Sequence, residues 1–182
     1  LSRRNLFRGY GEIGEGAFQS VSSITSLTLD NTGIIKSDAF RRCTGLTELN
    51  IGSVGTIEGS AFAECSNLTN VIIDEVSGTV KEYAFNNSGV ETITIGSINN
   101  AKYNSLVATE KITIDYAENL GGAKAKVIEI TSGNNVMCGN YWPANYAGSS
   151  NNICETITIG DVRGTVKAFA FNSVTIDSAE NV

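Results

Sequence analysis

Four cysteines, one tryptophan and a scatter of carboxylates are the side chains of this chain that could do chemistry, and no histidine stands among them. Without His, the commonest general base, the usual partner of a nucleophile and the commonest zinc ligand are all missing. That inventory fits catalysis poorly. No catalytic residue, metal ligand or cofactor site is assigned from it, and the chemistry to expect is non-covalent binding.

Two places could carry such binding. Cys138 and Cys154 bracket a stretch rich in Gly, Asn and Ser. Joined, they would close a loop of about 16 residues and contribute roughly 3 kcal/mol in the chain-entropy model; the alternative is free thiols or one buried Cys. The same stretch holds Tyr141, Trp142, the only proline (Pro143) and Tyr146. Trp and Tyr are enriched at binding hot spots, and loops that break a regular scaffold often carry function. The segment is therefore either a binding knob or a plug folded back onto its own scaffold. Cys43 and Cys65 read differently. They fill the same slot, which Val21 and Ser88 fill elsewhere, so they are expected to be buried small hydrophobes rather than a bonded pair.

What positions these residues is a repeat. The pattern Ile-x-x-x-Ala-Phe-x-x-Cys-x-x-Leu-x-x-Leu/Val-x-Ile returns every 22 residues, as Ile35, Ala39, Phe40, Cys43, Leu46, Leu49 and Ile51, then as Ile57, Ala61, Phe62, Cys65, Leu68, Val71 and Ile73. Ile13, Ala17, Phe18, Val21, Ile24, Leu27 and Leu29 form the copy before. Strand-ending aliphatics continue through Ile95, Ile114, Ile130, Ile159 and Ile176, in steps that drift to 19, 16, 29 and 17. A period of this length with one short strand per turn predicts a repeat solenoid: a leucine-rich-repeat-like stack of about eight coils, with a parallel β-sheet and irregular return legs.

Alternation such as Ile93-Thr94-Ile95 marks a strand with one buried face. It places Thr94, Thr113, Asp115 and Glu129 on the outer strand face as further candidate binding residues. Asp30, Asp74, Asp115 and Asp177 share that face but are interrupted by glycine coils. They cannot converge on a calcium ion, which needs about six to eight close oxygens. Phe18, Phe40, Phe62, Phe85 and Phe171 are expected to form one internal column. Gly33, Gly52, Gly55, Gly78, Gly96 and Gly164 are expected at corners that need positive φ.

The Ala-Phe-x-x-Cys-x-x-Leu coil resembles the BspA-like, or Treponema-type, leucine-rich repeats. The resemblance is strong over residues 13–96, returns at 155–177 and is weak between 100 and 154. It implies a cell-surface or secreted module for protein binding and adhesion, recognising host or cell-surface macromolecules, with a ligand-free structural spacer as the alternative and a carbohydrate-binding module further behind. The chain reads as one leucine-rich repeat domain, 1–182, with regular repeats at 13–96, degenerate repeats at 97–154 containing the inserted loop 138–154, and the signature again at 155–177.

A net charge of −6 repels phosphate backbones and anionic lipid. The sequence holds no apolar run of about 18 residues. The expected partner is thus a protein, neither nucleic acid nor a membrane interior. A terminal coil exposes an unpaired strand edge, so the array is expected to continue in a longer one or to be covered by end-to-end self-association.

Overall fold

The computed structural model describes residues 4–7, 11–139, 154–169 and 171–181. Its strands are β1 (Arg4–Phe7), β2 (Glu12–Ile13), β3 (Ser26–Ile35), β4 (Glu48–Ile57), β5 (Asn70–Val80), β6 (Thr92–Ala101), β7 (Leu106–Val107), β8 (Lys111–Leu120), β9 (Ala123–Lys124), β10 (Val127–Gly139), β11 (Cys154–Phe169) and β12 (Phe171–Asn181). One parallel sheet runs in the order β1-β3-β4-β5-β6-β8-β10-β11-β12, with β2 paired to β3; β7 and β9 form a separate pair. No helix occurs among the described residues.

Register explains how unequal repeats build one sheet. Phe7, Leu29, Ile51, Ile73, Ile95, Ile114, Ile130, Ile159 and Ile176 are successive partners across it. Every step along the chain, long or short, closes one turn of the coil and returns an aliphatic side chain to the same row. The stack of coils follows from that row. Phe7 marks a coil that the 22-residue pattern did not reveal.

Each long strand wraps the core on two legs. In β3, Leu27 and Leu29 are buried while Thr28 and Asp30 are half-exposed; the register then skips Asp30, and Thr32 and Ile35 turn inward. The same rhythm in the neighbouring strands packs one continuous cluster from Ile24 to Val166.

The return legs are more regular than expected. Phe18, Phe40, Phe62 and Phe85 stack with ring centroids 5.1, 5.2 and 5.4 Å apart and planes within 7°. Backbone bonds run from coil to coil beneath them, with Phe40 N donating to Ala61 O and Phe62 N to Ala84 O, both at 2.8 Å. Phe171, expected as a fifth member, lies at the head of β12 with its backbone opposite Cys154, and its side chain is outside the described residues.

Positive φ is not what the corner glycines provide. Among the described glycines only Gly16 and Gly122 have it. Gly52, Gly55, Gly78, Gly96 and Gly164 answer instead to contact: a Cβ on Gly52 or Gly96 would strike the carbonyl oxygen of Asp30 or Asp74 in the coil beneath, and Gly33 is the residue that Gly55 approaches. Left-handed backbone falls on the return turns, where Asp38 and Arg42, Ser60 and Glu64, and Tyr83 and Asn87 flank successive Ala-Phe pairs at φ between 53° and 62°.

After Phe85 the filler changes. Ala101 is in register with Val80, so Ser105 and Leu106 stand where Ala84 and Phe85 stand one coil earlier. The Ser105 hydroxyl is fully buried and has no hydrogen-bond partner. A slot shaped for the Ala methyl leaves that oxygen desolvated for nothing in return. Ser105→Ala is therefore expected to stabilise the fold by about 1–2 kcal/mol. A urea midpoint that drops in the variant would show instead that the hydroxyl has a partner.

Candidate functional site

The thiols the structure describes are packing groups. Cys43 and Cys65 are free and fully buried. Cys43 Sγ donates to the Phe18 carbonyl and Cys65 Sγ to the Phe40 carbonyl, each at 3.1 Å. Burial, then the neighbouring Cys43, pushes the Cys65 thiol up to about 12, and burial raises Cys43 as well. Both stay protonated at neutral pH and are poor nucleophiles.

The backbone of Cys138 pairs with Ala168 and that of Cys154 with Phe171. Their side chains lie outside the described residues, as do Tyr141, Trp142 and Tyr146.

The remaining candidates meet on the outer strand face. Thr94, Thr113 and Glu129 are successive partners on β6, β8 and β10, with Ile72 on one side of the row and Thr158 on the other. Glu129 reaches Lys111 at 2.7 Å. Both side chains are partly solvated, so the pair adds little stability and mainly fixes where Glu129 points. Asp115 sits at the corner just beyond, exposed, and Ser132 Oγ donates to its carbonyl at 3.0 Å.

Two exposed large side chains give this face its character. Ile72 is 36% exposed within the Thr row, and Tyr116 is 42% exposed in the next row round the corner, in register with Ser97 and Ser132. The Tyr116 hydroxyl donates to Glu118, whose other carboxylate oxygen accepts from Asn134 Nδ2 at 2.9 Å. Those bonds hold Glu118 below its ordinary pKa, and the Glu118 bond holds Tyr116 above its own. The ring is thus tethered to the surface before any partner arrives. Tyr116 was not singled out from sequence, because its row of Asn31, Ser53, Glu75 and Ser97 carries no aromatic period.

Charge is segregated around the coil. Exposed Asp74, Glu75, Asp115, Asp161 and Asp177 gather along the corner rows, with Arg163 as the exception. On the return side, cations pair with carboxylates of the adjacent coil: Arg42 with Glu64 at 2.7 Å, Lys81 with Glu58 at 3.0 Å and Lys126 with Glu110 at 2.7 Å. The corner rows are thus mainly acidic among the described residues. No group of three or more Cys, Asp or Glu among the described residues is placed to hold a metal ion.

A family model described as the BspA type leucine rich repeat region matches residues 3–118 in 6 copies. No curated protein and no solved structure matches the chain.

Proposed function

The chain belongs to the BspA-type leucine-rich repeat family, and from that premise we propose that it is a protein-binding adhesion module that docks a basic surface of a host or cell-surface protein on its outer sheet face. Repeat domains of this family are generally binding scaffolds without catalysis, and the proteins that carry them are typically surface-exposed or secreted; we place this chain in that setting.

The observation that carries the choice of face is the meeting of exposed Ile72 and tethered Tyr116 with the acidic corner of Asp74, Glu75 and Asp115. Apolar and aromatic anchors supply the buried centre of an interface, and surrounding charge of one sign speeds encounter with the opposite sign. Strands held in a sheet lose little freedom on docking, so less of the contact energy is lost to ordering. A spacer without a ligand has no use for two large apolar groups in solvent beside a corner whose exposed charges, Arg163 apart, are carboxylates.

The test is surface plasmon resonance of this domain against a panel of basic and acidic extracellular proteins, at low and high salt. Basic members are expected to bind, with affinity falling as salt rises. A triple Asp74→Lys, Glu75→Lys, Asp115→Lys variant should weaken binding by about tenfold or more, and Tyr116→Ala should weaken it separately. Absence of binding across the panel, or binding indifferent to both variants, would leave the spacer reading in its place.

A further inference from the structure

Where the coils shorten, a second surface opens that the outer sheet face does not use. The steps between strand-ending residues fall from 22 to 19 and then 16, and the filler between coils falls from Phe85 to Leu106. The wall draws in, leaving a cleft of about 370 Å³ across the ends of β6, β8 and β10.

The cleft's side chains are ordered by register. Asn100, Asn119 and Asn135 are successive partners and form one amide row, and Thr165 on β11 stands in line with them, one position before the Val136–Val166 pair. Asn135 Nδ2 donates to Asn119 Oδ1 at 3.1 Å, and the Thr165 backbone N–H reaches Asn135 Oδ1 at 3.5 Å. Leu120 and Val136 give an apolar floor. Gly121 opens it: a side chain there would strike the Ala101 carbonyl oxygen, so the notch is set by backbone packing. Tyr103 stands half-buried at the rim.

We propose that this cleft binds a neutral, extended oligosaccharide lying along the stacking axis. A primary amide offers two donors and an acceptor, and the bond between Asn135 and Asn119 uses one of the four N–H groups on the two side chains. Sugar hydroxyls both donate and accept, so a row of amides suits them as a row of charges does not. Rungs spaced about 4.8 Å apart meet an extended sugar chain at about one ring per rung. The apolar floor and the Tyr103 ring suit the C–H faces of the rings.

Charge selects against the alternatives. Among the described residues no carboxylate lines the cleft, so a Lys- or Arg-rich peptide finds no partner in it. Lys102 is the lining cation, on a chain of net charge −6, which is weak provision for a sulfated or phosphorylated ligand. The volume falls within the range of small-ligand sites. None of the lining residues belongs to the rows of the outer face, so this inference does not depend on the adhesion reading.

Isothermal titration with tetramers to hexamers of β-1,4-linked glucose, β-1,4-linked N-acetylglucosamine and α-1,4-linked glucose tests it, alongside a sulfated oligosaccharide and a Lys-rich peptide. At least one neutral series should bind more tightly than both charged probes. Asn119 and Asn135 are exposed, so a double Asn119→Ala, Asn135→Ala variant should keep its melting temperature while losing about tenfold or more in sugar affinity. Asn119→Phe, which fills the cleft without touching the core, should abolish sugar binding and leave binding to basic proteins intact. If no neutral series binds, if only a charged probe binds, or if sugar binding survives both variants, the cleft is not a sugar site.

Discussion

Replacing Phe62 by Ala is expected to destabilise the fold by about 3–5 kcal/mol, the range for truncating a buried aromatic. Phe62 is fully buried and stacks on both sides, 5.2 Å from Phe40 and 5.4 Å from Phe85. Its loss removes apolar burial and two ring contacts at once, and the rigid return legs on either side limit how far the cavity can collapse. In a stack of coils, stability is close to a sum of each coil's own term and its contacts with neighbours. Damage at the centre is therefore felt by two interfaces. Phe18 supplies the internal comparison: it is half-buried and has Phe40 as its partner in the column among the described residues. Phe18→Ala should cost clearly less. Urea denaturation of both variants, followed by circular dichroism, checks this. Equal losses would show that the column does not carry stability in the way the stacking implies, and a loss below about 1 kcal/mol at Phe62 would mean the core refills.

How much of this could be read in the sequence follows from which physical signals survive drift. The strand rungs were legible because the aliphatic alternation is needed in every coil. It persists at Ile114, Ile130 and Ile159 even where the coil length changes, and these residues do fall into one register row. The buried Cys43 and Cys65 ladder was legible because other small residues, Val21 and Ser88, replace Cys at that slot in other coils. The role of the corner glycines was not legible. Glycine serves φ and closeness alike, and only inter-coil geometry separates them. Tyr116 and the Asn100, Asn119, Asn135 row were hidden for a related reason: each needs residues aligned across coils of unequal length. The amide row does leave a trace, since each Asn directly precedes an inward aliphatic, Ala101, Leu120 or Val136. Carrying the alignment past the strand-ending residue to the second leg would have exposed it.

The two readings of a corner glycine predict opposite signs, which makes Gly55→Ala a sharp experiment. In a structure that merely tolerates glycine, adding a methyl restricts the unfolded chain and stabilises by about 0.4–1 kcal/mol. At Gly55 the geometry argues the other way. A Cβ there would run into the Gly33 carbonyl oxygen in the coil below, and Gly78 in the coil above makes the same close approach to Gly55. The backbones are that near because the parallel ladder bonds Thr32, Ile34 and their partners Val54 and Thr56 on either side of the contact. A methyl can be admitted only by parting those strands, so Gly55→Ala is expected to destabilise by about 1–3 kcal/mol, the usual cost of overpacking. Gly14 is the control: nothing lies within 4 Å of its would-be Cβ, and Gly14→Ala should be neutral or slightly stabilising. Urea midpoints of the two variants, taken with unchanged m-values, decide the matter. Should Gly55→Ala match or exceed the parent in stability, close approach is not why glycine stands at the corner, and the tight stacking of coils there would have to be given up.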